Sequence, residues 1–210
     1  KNFFGGHGIV GAQVPIGTGL AFSNKYKGSD AVCIAYFGDG ASNQGQVYEA
    51  FNMASLWKLP VVYVIENNQY AMGTSIARAS AETELFKRGI SFEIPGEEVD
   101  GMDVLAVRKA AAKAIARARD GEGPTILEMK TYRYRGHSMS DPAKYRTRAE
   151  VQEMREHHDP IEMLKKKLID AGHASEDSLK KIEAEVREIV ADSAQFAQDS
   201  PEPDPAELWT

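Results

Sequence analysis

The sequence has a single cysteine, Cys33, in 210 residues, which excludes an internal disulfide framework or a zinc-thiolate cluster and fits a reducing compartment. It has no long apolar run: the two longest, Ala31–Phe37 and Leu59–Ile65, are far too short to cross a bilayer. No charged-then-apolar leader stands at its start, so a soluble intracellular chain is expected. It also lacks a basic excess. The net charge of −6 divides into 18 Lys+Arg against 15 Asp+Glu over residues 1–149, and 7 against 16 over residues 150–210. Nucleic-acid binders concentrate positive charge, so nucleic acid is a poor ligand here, while a small anion in the first part stays open. Eighteen Gly and nine Pro are near average usage and leave no low-complexity or collagen-like reading, and there is no internal repeat. At 42% apolar and 27% charged, the chain amounts to one globular domain, or one and a half.

What is there alternates. Val14–Lys25 reads as a buried helix with Pro15 in its first turn, Ala31–Phe37 as a buried parallel strand and Gln46–Lys58 as a helix packed on it. Pro60–Ile65 reads as a second buried strand, so residues 31–65 form a β-α-β unit whose two strands end at the same sheet edge, where ligands of open α/β sheets bind. Asp103 caps a helix running to about Arg119, closed by Gly121 and Gly123, and Thr125–Tyr132 is a third strand. The fold class expected is α/β: a mostly parallel sheet flanked by helices over residues 1–146, then an acidic helical region over 147–199. Thr147–Glu150 and Asp159–Glu162 carry capping-box patterns, and helices are expected over Arg148–His157, Ile161–Ala171 and Glu176–Gln198. Residues 200–210, with prolines at positions 201, 203 and 205, are expected to be an extended arm.

Gly6-His-Gly-Ile-Val-Gly11 is a literal dinucleotide fingerprint, but its context contradicts that use. No strand precedes it, and Asp30 comes before a strand rather than at the end of one. The stronger pattern is Gly38-Asp39-Gly40 after the first strand and Glu66-Asn67-Asn68 after the second, which brings Asp39 and Asn68 to face one another. A carboxylate, an amide oxygen and a nearby carbonyl are hard donors suited to Mg²⁺, which keeps phosphate oxygens as further ligands. The flanking glycines let backbone N–H groups approach a diphosphate. The plain alternative is that each is an ordinary turn.

The run Gly38-Asp-Gly-Ala-Ser-Asn-Gln-Gly45, with Glu49-Ala-Phe-Asn-Met-Ala54 and Glu66-Asn-Asn-Gln-Tyr-Ala-Met-Gly73, closely resembles the thiamine-diphosphate motif of the pyruvate dehydrogenase α-subunit family. So do Phe4-Gly-Gly-His-Gly-Ile-Val-Gly-Ala-Gln13, Val99-Asp-Gly-Met-Asp103 and Thr131-Tyr-Arg-Tyr-Arg-Gly-His-Ser-Met-Ser-Asp-Pro142. The resemblance extends over essentially the whole chain. Because the family's chain continues upstream, a fragment of a longer protein is expected.

By this resemblance, Asp39, the Asn68 amide and the Tyr70 carbonyl hold the metal, and Gly40 and Ala41 meet the diphosphate. Gly8 and Val10 touch the aminopyrimidine. His137, on the loop after the third strand, sits over the diphosphate and near the reacting carbon as the catalytic histidine, the residue type suited to proton transfer near neutral pH. His157, His158 and His173 read as surface residues, and His7 is ambiguous. The implied activity is oxidative decarboxylation of pyruvate with transfer of the acyl group to lipoamide. The implied partners are a β subunit in an α2β2 tetramer and the lipoyl domain of the dihydrolipoamide acetyltransferase component. No residue matches the family's acid for the aminopyrimidine, which the β subunit provides in the family.

Ser138 and Ser75 stand where animal members carry inhibitory phosphoserines. Asp141–Tyr145 lacks the other loop serine, which favours a bacterial cytoplasmic protein over one of the mitochondrial matrix. Close alternatives are a branched-chain 2-oxoacid or acetoin dehydrogenase α subunit. A non-catalytic scaffold binding a partner through its acidic helices is the alternative from another class.

Overall fold

The computed structural model describes residues 2–209, and the chain divides into two compact units, with the boundary after Pro160. The first unit is built on a four-stranded, wholly parallel sheet. Its strands are β1 (Cys33–Gly38), β2 (Val61–Asn67), β5 (Gly96–Asp100) and β6 (Thr125–Lys130), in the order β1-β2-β6-β5. A two-stranded antiparallel ribbon, β3 (Tyr70–Ala71) and β4 (Thr74–Ser75), stands just beyond the end of β2.

Side chains alternate across a strand, and β2 divides its residues accordingly. Val61, Tyr63 and Ile65 enter one core with α1 (Gln13–Tyr26) and α2 (Gly45–Leu56), while Val62 and Val64 enter a second core with α4 (Val104–Arg119). Helix α1 lies very close to β1. A Cβ on Gly17 would meet that of Ala35 at 2.8 Å, so this crossing requires glycine. The buried Tyr63 hydroxyl shares a 2.6 Å hydrogen bond with Thr18 Oγ1, which also donates to the Val14 carbonyl, and burial pushes the phenol well above its ordinary pKa. Asp103 caps α4 as expected, its carboxylate accepting from the Leu105 and Ala106 N–H groups. On the α4 side, Ile34 and Tyr36 of edge strand β1 remain exposed and line an apolar groove of about 200 Å³.

Several elements lie outside the sequence reading. Strand β5 is Gly-Glu-Glu-Val-Asp, with only Val99 buried, and its acidic composition hides an edge strand that needs few apolar contacts. The β3–β4 ribbon is too short to show a period. A 3-10 helix at Leu85–Phe92 is likewise unforeseen; it buries Leu85 and Gly89 and ends on Glu93 at φ +57°. Short helix α3 (Ile76–Ala79) follows the ribbon.

Helix α5 (Arg148–His157) belongs to the first unit and starts on Thr147, whose side chain accepts from the Glu150 N–H. Helix α6 (Pro160–Asp170) begins with proline in its first position, where a missing N–H costs nothing. In the second unit α7 (Glu176–Asp199) opens with a Ser175–Ser178 capping box. The expected extended arm needs one correction: Pro205–Trp209 form a 3-10 turn, because Asp204 accepts from the Ala206 N–H at 2.8 Å and proline suits the first turn of a helix.

Candidate functional site at the carboxyl edge of the sheet

Three strand ends build the site. Strands β1 and β2 run in parallel register, Gly38 opposite Glu66, so the turns that follow them emerge side by side. The closeness is steric as well. A Cβ on Gly40 would lie 2.5 Å from that of Ala71, so the Asp39–Ala41 turn packs directly on the ribbon that follows Asn68. Asp39 is buried at 4% exposure, and burial raises its carboxyl pKa. The N–H groups of Asp39 and Gly40 and the charges of Arg133 and Arg146 oppose that rise.

The turn after β2 is held by its own amides. Asn67 Oδ1 accepts from the Gln69 N–H at 2.9 Å and Asn68 Oδ1 from the Tyr70 N–H at 3.1 Å, while Gln69 takes a left-handed φ of +75°. The Asn68 amide oxygen and the Tyr70 carbonyl then converge on one point. A single nitrogen, Arg133 Nη1, donates to both, at 3.3 and 3.2 Å. Two of the three predicted metal donors therefore already share one cationic partner, and the third, Asp39, senses the same charge. This donor set fits a small hard cation. Among the described residues no cluster of three or more His, Cys, Asp or Glu side chains could hold a metal, so the donor set predicted here is one carboxylate with an amide and a backbone oxygen.

The third strand end carries the residues that sequence reasoning missed. Arg133 also donates to the Met72 carbonyl and the Tyr145 hydroxyl, and Arg146 donates to the Asn68 and Arg133 carbonyls while lying over the Tyr132 ring at 3.7 Å. Together they pin the base of the loop after β6 onto the turn after β2. Asp141 organises the tip, accepting from the His137 N–H, the Ala143 N–H and the Tyr145 hydroxyl, and these bonds hold its carboxyl down at about 2. Arg88 clamps the 3-10 turn at Ala41–Asn43, reaching the Ser42 carbonyl, Asn43 Oδ1, the Tyr48 hydroxyl and Ser80 Oγ. The Tyr-Arg-Tyr and Asp-Pro segments were visible in the sequence. Of that motif's residues, the sequence points to a role only for His137 and Ser138.

The remaining candidates are placed more loosely. His137 and Ser138 are exposed on the loop, and Ser138 Oγ shares a hydrogen bond with Ser140 Oγ. Gly8 and Val10 are exposed in the segment leading into α1, tied to α2 by a hydrogen bond from Gln46 to the Val10 carbonyl at 3.2 Å. No hydrogen bond joins them to Asp39 or Asn68 among the described residues. Ser75 is half-buried at the end of β4 and precedes α3. His7, His157, His158 and His173 are all exposed.

Comparison with known proteins identifies the chain's relatives. The chain is 68% identical over all 210 residues to the pyruvate dehydrogenase E1 component subunit alpha of Rhizobium meliloti, covering 60% of that protein. It is 61% identical over 208 residues to the subunit of the same name from Zymomonas mobilis, with 99% of the chain and 58% of the relative covered. It is 56% identical over 209 residues to the human somatic mitochondrial form, with 99% and 53% covered. The chain thus spans between half and two-thirds of the length of these relatives. The family model for the dehydrogenase E1 component matches residues 1–206, and the chain belongs to that family.

Proposed function

We propose that the chain is the cofactor-binding part of a pyruvate dehydrogenase α subunit, with Asp39, the Asn68 amide oxygen and the Tyr70 carbonyl as protein ligands of a Mg²⁺ that anchors thiamine diphosphate. The observation that carries this reading is the convergence of Asn68 Oδ1 and Tyr70 O on one cationic nitrogen next to a buried carboxylate. Few hard donors, with places left for phosphate oxygens, are what Mg²⁺ requires. The α/β cofactor region is taken as residues 1–146, with the helical region 147–199 and the terminal segment 200–210 outside it.

In this reading Gly40 and Ala41 would meet the diphosphate from the turn after Asp39, and Gly8 and Val10 would meet the aminopyrimidine. When bound, thiamine diphosphate supplies the nucleophilic carbon and electron sink by which a 2-oxo acid loses CO₂ and its acyl fragment passes to a lipoyl group. His137 would hold or deliver a proton at the reacting carbonyl, and Asp141 fixes the loop that presents it. A β subunit would complete an α2β2 tetramer and bring the acid that faces the aminopyrimidine. The lipoyl domain of the acetyltransferase component would receive the product. Phosphate on Ser138 would add up to two negative charges beside His137 and an anionic cofactor, and Ser75 is a second regulatory candidate. The setting proposed is the bacterial cytoplasm, or the mitochondrial matrix in a eukaryote.

Calorimetric titration of the full-length α subunit, mixed with its β partner, tests the reading. Thiamine diphosphate should bind saturably with Mg²⁺ and not after chelation, and pyruvate should be turned over in preference to branched-chain 2-oxoacids and acetoin. Metal-independent binding, or none, would overturn it.

A further inference from the structure

Glu128, in the middle of β6, has no solvent exposure at all. A carboxylate carried into a core is costly unless its oxygens are hydrogen-bonded, and this one is fully engaged. Oε1 accepts from Asn67 Nδ2 at 2.6 Å and Lys130 Nζ at 2.7 Å, and Oε2 accepts from the Phe86 N–H at 2.9 Å. Neither the sequence pattern nor the chemistry proposed above uses it.

Its bond to Asn67 fixes what that side chain can do. With the Asn67 amide nitrogen committed to Glu128, the amide oxygen faces the turn and accepts from the Gln69 N–H. That bond supports Gln69 at φ +75°, a conformation that a residue with a side chain adopts only when its surroundings enforce it. On either side of Gln69 stand Asn68 and Tyr70, whose oxygens meet at Arg133 Nη1. A continuous chain of bonds therefore runs from the core to the two oxygens, and Phe86 ties the same carboxylate to the 3-10 helix at Leu85–Phe92.

We propose that Glu128 is a positioning residue for the metal site, holding the Asn68–Tyr70 turn through Asn67 so that the Asn68 amide oxygen and the Tyr70 carbonyl aim at a common point. This rests on the metal-site reading above. Groups that orient metal ligands from behind typically account for 10- to 100-fold in metal affinity.

The test uses the full-length α subunit assembled with its β partner, with Mg²⁺ titrated at fixed thiamine diphosphate and amide hydrogen exchange followed over residues 66–72. In Glu128→Leu the half-saturating Mg²⁺ concentration should rise by about tenfold or more, and the Gln69 amide in the turn should lose protection while strand β2 keeps it. Glu128→Gln should rescue most of the affinity, to within about threefold of the parent, because its remaining oxygen still accepts from Asn67. If Glu128→Leu does not fold, Asn67→Ala breaks the same chain of bonds and should raise the Mg²⁺ requirement likewise. An unchanged Mg²⁺ requirement in these variants, or equal losses in Glu128→Gln and Glu128→Leu, would reduce Glu128 to a core charge partner of Lys130 and overturn the proposal. A parent assembly that shows no Mg²⁺ dependence would instead overturn the metal site itself, and the proposal with it.

Discussion

Helices α2 and α7 both space their apolar residues three and four apart, yet only α2 has buried them. Val47, Ala50, Phe51 and Ala54 of α2 are sealed against the sheet, with Phe51 packed on Tyr63 at a ring separation of 4.7 Å. In α7, Ile182, Val186, Ile189 and Val190 follow the same spacing, and each is more than half exposed. Periodicity reports that a helix has a face; it does not report what covers it. The first unit differs in a second respect. Its core continues to the strand ends, where buried polar groups orient the turns that carry the candidate site, while neither α6 nor α7 has a buried residue.

The largest effect that would sharpen this contrast is in the core. Phe51→Ala should cost about 3–5 kcal/mol of stability, read from the urea midpoint by circular dichroism. A loss no greater than that of an α7 variant would break the comparison.

Next comes Asp39→Asn. It should reduce Mg²⁺-dependent thiamine diphosphate binding by about 100-fold, as expected for loss of a charged ligand. Yet it should raise the melting temperature of the metal-free protein by about 2–4 °C, the shift that roughly 1 kcal/mol produces at this size. The sign follows from burial. A carboxyl whose folded pKa is raised binds its proton more tightly in the folded state, so its ionised form opposes folding and the metal-free chain gains stability as pH falls toward that pKa. Metal affinity must weaken over the same range, because proton and metal compete for the carboxylate.

Asp141 behaves oppositely. Its folded pKa of about 2 lies below the ordinary value, so its support for the loop is present above the unfolded pKa and is lost only as pH falls through about 2. Loop order should therefore be flat between pH 5 and 8. Asp141→Ala should speed amide exchange over residues 135–146 severalfold, with β1 and β2 unaffected. The smallest effect is expected in the second unit, where Ile189→Ala should change stability by no more than about 0.5 kcal/mol in this chain, consistent with its exposure.

Much of this was legible in the residues. Strands β1 and β2 are continuous apolar runs bounded by glycine or polar residues, so both the strands and the shared edge at Asp39 and Asn68 could be read directly. Asp103 and Thr147 announced their helices by capping chemistry. Strand β5 was illegible because an edge strand whose acidic residues point outward shows no apolar run. The roles of Arg133, Arg146 and Glu128 depend on long-range partners, Asn68 and Tyr70 for the arginines and Asn67 and Phe86 for Glu128, and no local pattern encodes such pairings. Gly8, Val10 and His137 are exposed, and in the proposed reading their contacts would be with a cofactor rather than with the chain.

The most direct test is a calorimetric titration of thiamine diphosphate, with and without Mg²⁺, into the full-length α subunit assembled with its β partner, run in parallel on Asp39→Asn. Mg²⁺-dependent binding to the parent and its loss in a variant that remains folded and assembled is the predicted result. Equal binding by the two, with or without Mg²⁺, would contradict a metal site at the carboxyl edge of this sheet.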